Sequence, residues 1–280
     1  MKDQSSEKAS LTSSDGLYEL AAPCLEVFRQ EGMAAPLGEN LQLLLRWIEL
    51  GRAGEQLAIV SPVCPDYSAK DTSDQQRQYD FERLNSGIGP MATRLYRSLA
   101  KLHATLRDVL QIADFRQFVC MCDFDGFYEN NLRRVGETEA GFRAKVLQSC
   151  ESLRRGAPAQ LSASLLSDHC GGRAGWLREL TATRRRLAQM EGASEWESVA
   201  IKAIARERLS LYRRWLGREQ SESLVEVLVT AQGIEYATAG RVIDAHFPNA
   251  LVLTVGNDKW ERFFRAFARL PVLCLQDSSL

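Results

Sequence analysis

No stretch of this sequence is apolar for long enough to cross a bilayer, so a membrane partner is not expected. Histidine is scarce, and His103, His169 and His246 lie far apart with no metal-ligand spacing between them. The seven cysteines are odd in number and include no C-x-x-C pair, which argues against a disulfide scaffold and for reduced thiols. Charge of neither sign dominates. Lys and Arg number 35 against 36 Asp and Glu, a formal net charge of -1, so the chain as a whole is not an electrostatic binder of nucleic acid or membrane. The opening MKDQSSEKASLTSSDG has no apolar core of a secretory signal. Residues 1–16 read as a flexible polar leader, and the cytoplasm is the expected location.

What is present is an ordinary globular composition, 45% hydrophobic and 25% charged over 280 residues, enough to bury a large core. YELAAPCLEVFRQEG and GENLQLLLRWIELGR have helical spacing, the second aligning Leu41, Leu44, Leu45 and Ile48. QLAIVSPV reads as a buried strand stopped by Pro62, followed by the long polar loop CPDYSAKDTSDQQRQYDFERLNSGIG. A helix follows through Leu95, Leu99, Leu102, Leu106 and Leu110, then the strand FRQFVCMCDF, with Cys120 and Cys122 on one face. ETEAGFRAKVLQSCESLRR opens on acidic residues that suit a helix start. Residues 155–175 are rich in Gly, Ala and Ser and show no strand signal. Helical spacing resumes from Trp176 to Leu216 and again to Pro248, before the strand NALVLTVGND, a short helix and the strand PVLCL. Apolar, non-alternating strands between helices predict an α/β fold. The expectation is a Rossmann-like, mostly parallel sheet with helices on both faces, one domain over 17–280 with a helical insert at about 155–220.

In such sheets the ligand crevice lies beyond the carboxyl ends of the strands. Three ends are legible: Ser61 into VCPDYS, Asp123 into DGFYEN, and Val255 into GNDKW. Cys64, Asp66, Tyr67, Asp123, Asp125, Asn257 and Lys259 would converge there. Cys64 is a candidate nucleophile and Tyr67 a candidate proton donor; Asp123 and Asp125 would orient substrate or act in acid–base work. The turn NSGIGP, with Gly87 and Gly89, places backbone N–H groups where an anion could bind, and Arg94 or Lys259 would hold that anion. Each feature also has a plainer reading: a packed cysteine, a strand-end turn made by Asp125-Gly126, and a helix start with Pro90 in its first turn. From Arg173 to Arg218 eleven Lys or Arg face five Glu. That stretch is a solvated basic helix face or a tRNA-binding surface built on Arg184, Arg185, Arg186, Arg213 and Arg214.

The D-x-D-G of Asp123–Gly126 resembles the first motif of the haloacid-dehalogenase phosphatases and the D-x-D of nucleotide-sugar glycosyltransferases. In the phosphatases Thr follows the Gly, where this chain has Phe127. GIGPMATRLYRSLAKLHATLRDVLQIADFRQFVCMCDFDGFYENN and EYATAGRVIDAHFPNALVLTVGND resemble, together over less than a third of the chain, two segments of the isonitrile synthases. Asp125, Gly126 and the Pro248-x-Ala250 turn match that family, whereas LVLTVGN stands where it has R-L-S-I-H, and VCPDYS where it has a lysine-bearing K-S-P-N loop. The resemblance implies a Rossmann-like core and a biosynthetic transferase or synthase acting on an amino-acid-derived or phosphorylated substrate. Cyclodipeptide synthases are a second resemblance. They imply use of aminoacyl-tRNA and a serine nucleophile after the first strand, near Ser61, although their G-N-S motif is absent. A third expectation is a non-catalytic binding or scaffold member of the same fold. Neither a cofactor, a metal-ligand set nor an oligomeric state is legible.

Overall fold

Alternation along the strands decides the architecture: successive side chains point to opposite faces, and here both faces are apolar. The computed structural model describes residues 14–35, 40–64, 90–123, 138–189, 205–206, 222–255, 261–268 and 270–278. Its strands are β1 (Met33–Ala34), β2 (Leu57–Val63), β3 (Phe115–Met121), β4 (Leu161–Leu165), β5 (Ala250–Val255) and β6 (Val272–Asp277). Its helices are α1 (Ser14–Gln30), α2 (Asn40–Arg52), α3 (Pro90–Ala104), α4 (Glu139–Gly156), α5 (Gly172–Gln189), α6 (Glu222–His246) and the short α7 (Glu261–Phe264). Leu57, Ile59, Val119, Met121, Leu251, Leu253 and Leu273 pack against α1, α2, α3 and α4. Ala58, Val60, Cys120, Cys122, Ala250, Val252 and Val272 pack against α5, α6 and α7. Each Leu, Ile or Val so buried contributes about 1.5–3 kcal/mol.

The sheet order is β1-β6-β5-β2-β3-β4. Every pairing is parallel except the two-residue edge pair of β1 with β6. The chain therefore enters at the centre with β2, steps outward through β3 and β4, and returns to the other side of β2 with β5 and β6. This is the strand order of a Rossmann-like fold, and its reversal falls between β2 and β5. The α/β expectation with helices on both faces holds.

Three local features differ from the sequence reading. Residues 161–165 form a strand within the stretch that showed no strand signal. LSASL lies at the sheet edge, where only Leu161 of the five is fully buried, so it lacks the apolar run that marks the inner strands. The α3 helix passes at its end into a wider turn, Thr105–Val109, with Leu110 N–H donating to Thr105 O at 3.1 Å. Pro62 does not stop β2, which continues to Val63. Ala58 N–H donates to Asn249 O on the β5 side, whereas Leu57 N–H donates to Asp114 O and Val63 O accepts from Cys122 N–H on the β3 side. Even-numbered residues of β2 thus aim their backbone groups at β5, and Pro62 has no N–H to give. Pairing of β2 with β5 ends at Val60–Val252, although both strands run three residues further.

Candidate active site at the carboxyl ends of the strands

β2 parts from β5 at the point where the strand order reverses, the usual ligand position in open α/β sheets. Cys64 follows β2, and Cys122 and Asp123 follow β3. The register Val63↔Met121 and the Cys122 N–H bond to Val63 O, 2.7 Å, bring Cys64 and Cys122 side by side. Both lie on the α6 face, Cys122 buried and Cys64 half-buried. From α6, the Tyr236 hydroxyl stands 3.9 Å from Cys64 Sγ. Its ring is held edge-on to Phe264 at 5.0 Å between centroids.

Asp123 is 8% exposed. Its Oδ2 accepts a 2.7 Å hydrogen bond from the Ser167 hydroxyl, and its Oδ1 is buried without a hydrogen-bond partner among the described residues. Ser167 begins a 3-10 turn, Ser167–Cys170, that leaves β4 and reaches α5 through Gly171 and Gly172, both at positive φ. Burial raises the Asp123 carboxyl above its ordinary 3.8; the Ser167 hydroxyl, backbone N–H groups and the more distant Arg143 oppose the rise. A carboxyl that keeps its proton to higher pH than usual at a strand end is suited to acid–base work. Asp123 therefore reaches across to the turn that follows β4.

Burial holds the other thiols of this face protonated. Burial pushes Cys120 up to about 12 and Cys170 up to about 11, and it raises Cys122 well above the ordinary thiol value. Ser164 Oγ lies 3.8 Å from Cys120 Sγ and 2.7 Å from His169 Nε2. The His169 ring packs on Phe118 and Phe247, and burial lowers its pKa, so the neutral imidazole supports the edge strand. Ser61 lies within β2, fully buried, and not after it. Arg94 donates from Nη1 to Asp277 Oδ2 at 3.1 Å, at the end of β6. Arg184, Arg185 and Arg186 are exposed at the end of α5, with Arg186 over the Phe267 ring at 5.0 Å. Asp66, Tyr67, Gly87, Gly89, Asp125, Arg213, Arg214, Asn257 and Lys259 lie outside the described residues.

Cys64 and Asp123 are thus brought to one end of the sheet. Tyr236 and Ser167 were not anticipated. The only signal for Tyr236 was its place among the small residues of GIEYATAG, which allow α7 to lie close; Ser167 sat in a strand-turn unit that the sequence did not reveal. No group of three His, Cys, Asp or Glu among the described residues is placed to hold a metal. A groove of about 830 Å³ opens instead at the amino ends of β5 and β6, lined by Arg46, Trp47, Asp244, His246 and Arg265 among others. Its Trp47 indole N–H is committed to Asn249 O at 2.6 Å.

No protein-family description and no curated protein matches the chain. Solved structures do, at low identity. The PvcA protein from Pseudomonas aeruginosa, an isonitrile synthase, is 16% identical, with a TM-score of 0.48 over 91% of this chain and 82% of that one. The tryptophanyl-tRNA synthetase from the archaeon Aeropyrum pernix K1 is 13% identical, with a TM-score of 0.43 over 91% of this chain and 59% of its own. The cyclodipeptide synthase from Staphylococcus haemolyticus is 10% identical, with a TM-score of 0.36 over 82% and 94%. These are likenesses of fold.

Proposed function

We propose that this chain is a small-molecule biosynthetic transferase or synthase, taking an amino-acid-derived or phosphorylated substrate at the place where β2 and β5 part. The observation that supports it is the buried Asp123 carboxyl, its pKa raised by burial, at the same end of the sheet as Cys64 and Tyr236. Asp123 is the acid–base group. Cys64 is the nucleophile, with the Tyr236 hydroxyl positioned to hydrogen-bond its sulfur. Asp125, Asp66, Tyr67, Asn257 and Lys259 belong by sequence to the loops that follow these strands and complete the reading, as substrate-binding or proton-transfer groups.

Native mass spectrometry of the purified protein, after incubation with pooled amino acids, sugar phosphates and total tRNA, tests this. A retained metabolite or new product that disappears in both Asp123→Asn and Cys64→Ser is the expected result. Retention untouched by either change would remove these residues from the site. A second reading, use of aminoacyl-tRNA, is favoured by the exposed run Arg184–Arg186. It requires tRNA retention that weakens with salt and is lost on reversing Arg184 and Arg185.

A further inference from the structure

We infer that Cys64 and Cys122 are a reversible dithiol–disulfide pair at the carboxyl ends of β2 and β3. The covalent chemistry stands on the placement of the two thiols alone; its effect on ligand binding rests on the function proposed above. Three observations place them. The β2–β3 register runs without interruption from Leu57↔Phe115 to Val63↔Met121, so residues 64 and 122 are the next pair. The Cys122 N–H bond to Val63 O at 2.7 Å carries the ladder past the last strand residue. Neighbouring strands lie about 4.8 Å apart, inside the roughly 4.4–6.8 Å between Cα atoms that a disulfide spans. Both side chains belong to the same face, since Cys64 continues the Ala58 and Val60 series and Cys122 the Phe118 and Cys120 series, and both pack into one cluster. The two sulfurs are also within interaction reach of each other.

Their exposures divide the work. Cys64 is half-buried and accessible to an oxidant, and Cys122 is buried behind it. With a peroxide as oxidant, the Cys64 sulfur attacks one peroxide oxygen and the O–O bond breaks. The departing oxygen leaves as water, and Cys64 becomes a sulfenic acid. The Cys122 sulfur then attacks the Cys64 sulfur. The S–O bond breaks, the hydroxyl leaves with the Cys122 proton as a second water, and the S–S bond forms. Two thiols are oxidised by two electrons, and one peroxide is reduced to two waters. A dithiol reductant reverses the change by exchange. The disulfide removes the Cys64 nucleophile and ties the ends of β2 and β3 beside Tyr236.

The test uses the full chain treated with a small excess of hydrogen peroxide, then alkylated, digested and mapped by tandem mass spectrometry. The Cys120→Ser background separates Cys122 from its neighbour on the same peptide. Two of the seven thiols are expected to disappear together into a 64–122 link, and dithiothreitol should restore them. In Cys64→Ser no link should form, and in Cys122→Ala Cys64 should pass on to sulfinic acid. A link between other cysteines, over-oxidation of Cys64 with Cys122 intact, or no reaction would each overturn the pair. A 64–122 link that leaves ligand retention unchanged would uphold the pair and count instead against the proposed function.

Discussion

Asp123 is held in a state that costs the fold stability once it ionises. In the unfolded chain it ionises near its ordinary 3.8, while burial in the folded chain raises its value. The folded state therefore holds the proton longer. The stability that this provides is present at low pH and is lost as pH rises through the folded value. Asp123→Asn removes the ionisation and keeps an oxygen to accept from Ser167. The variant is expected to melt with the native protein below pH 3.8 and above it at neutral pH, which thermal scans across pH would show. Turnover, once the substrate is known, should fall by about 10²–10⁴, the usual worth of an acid–base group. A lower melting temperature at neutral pH would mean that the carboxylate is structurally required. Ser167→Ala should act in the opposite sense on stability, because it strips the hydroxyl that donates to Oδ2. Asp123 and Cys64 were legible because a strand end announces itself by a change from apolar to polar residues. Their partners Tyr236 and Ser167 were not, because helix and turn residues become neighbours of a strand end only through long-range packing.

Among the elements, α6 shows how small residues bring a helix to the site. A Cβ on Gly240 would stand 1.9 Å from Phe264 O, and one on Gly233 would stand 2.5 Å from the Phe263 ring. These glycines are seven apart, two turns on one face, and they let α7 lie directly on α6, where Phe264 holds the Tyr236 ring. Gly240→Ala meets backbone that cannot turn aside, and it is expected to cost about 1–3 kcal/mol, several degrees of melting temperature in a chain this size. It should also disturb the environment of Tyr236. Gly233→Ala meets a side chain that can rotate, so it should cost less. Calorimetry of the two variants checks that order, and equal losses would mean that the contact with α7 does not set the helix position. The same scale explains what the sequence concealed. Inner strands such as β2 and β5 are apolar on both faces and stand out. The edge strand β4 is half polar, and its Ala163 carbonyl accepts from Arg154 Nε at 2.7 Å, a side-chain cover for an open edge that leaves no mark in periodicity.

At the scale of the whole molecule, two places compete for a ligand: the groove at the amino ends of β5 and β6 and the carboxyl ends, where β2 and β5 part. The strand order favours the carboxyl end, because β2 and β5, which adjoin at the reversal of the order, cease to pair beyond Val60 and Val252. Sequence reasoning could foresee that the ends of β2, β3 and β5 meet, since alternating helices and apolar strands imply a parallel sheet. It could not supply the order β6-β5-β2-β3-β4, which depends on which strands pair over distances of more than a hundred residues. The order makes a prediction that the groove cannot share. Hydrogen exchange with a bound metabolite should show protection at residues 61–64, 121–123 and 234–238. The amides lining the groove around Leu43–Leu50 and Asp244–Asn249 should exchange as in the free protein. Protection confined to the groove would move the site to the amino ends and reduce Cys64 and Asp123 to structural residues. Protection at the carboxyl ends would in turn explain the proline within β2. By withholding one donor from β5, it would hold the two central strands apart at that point.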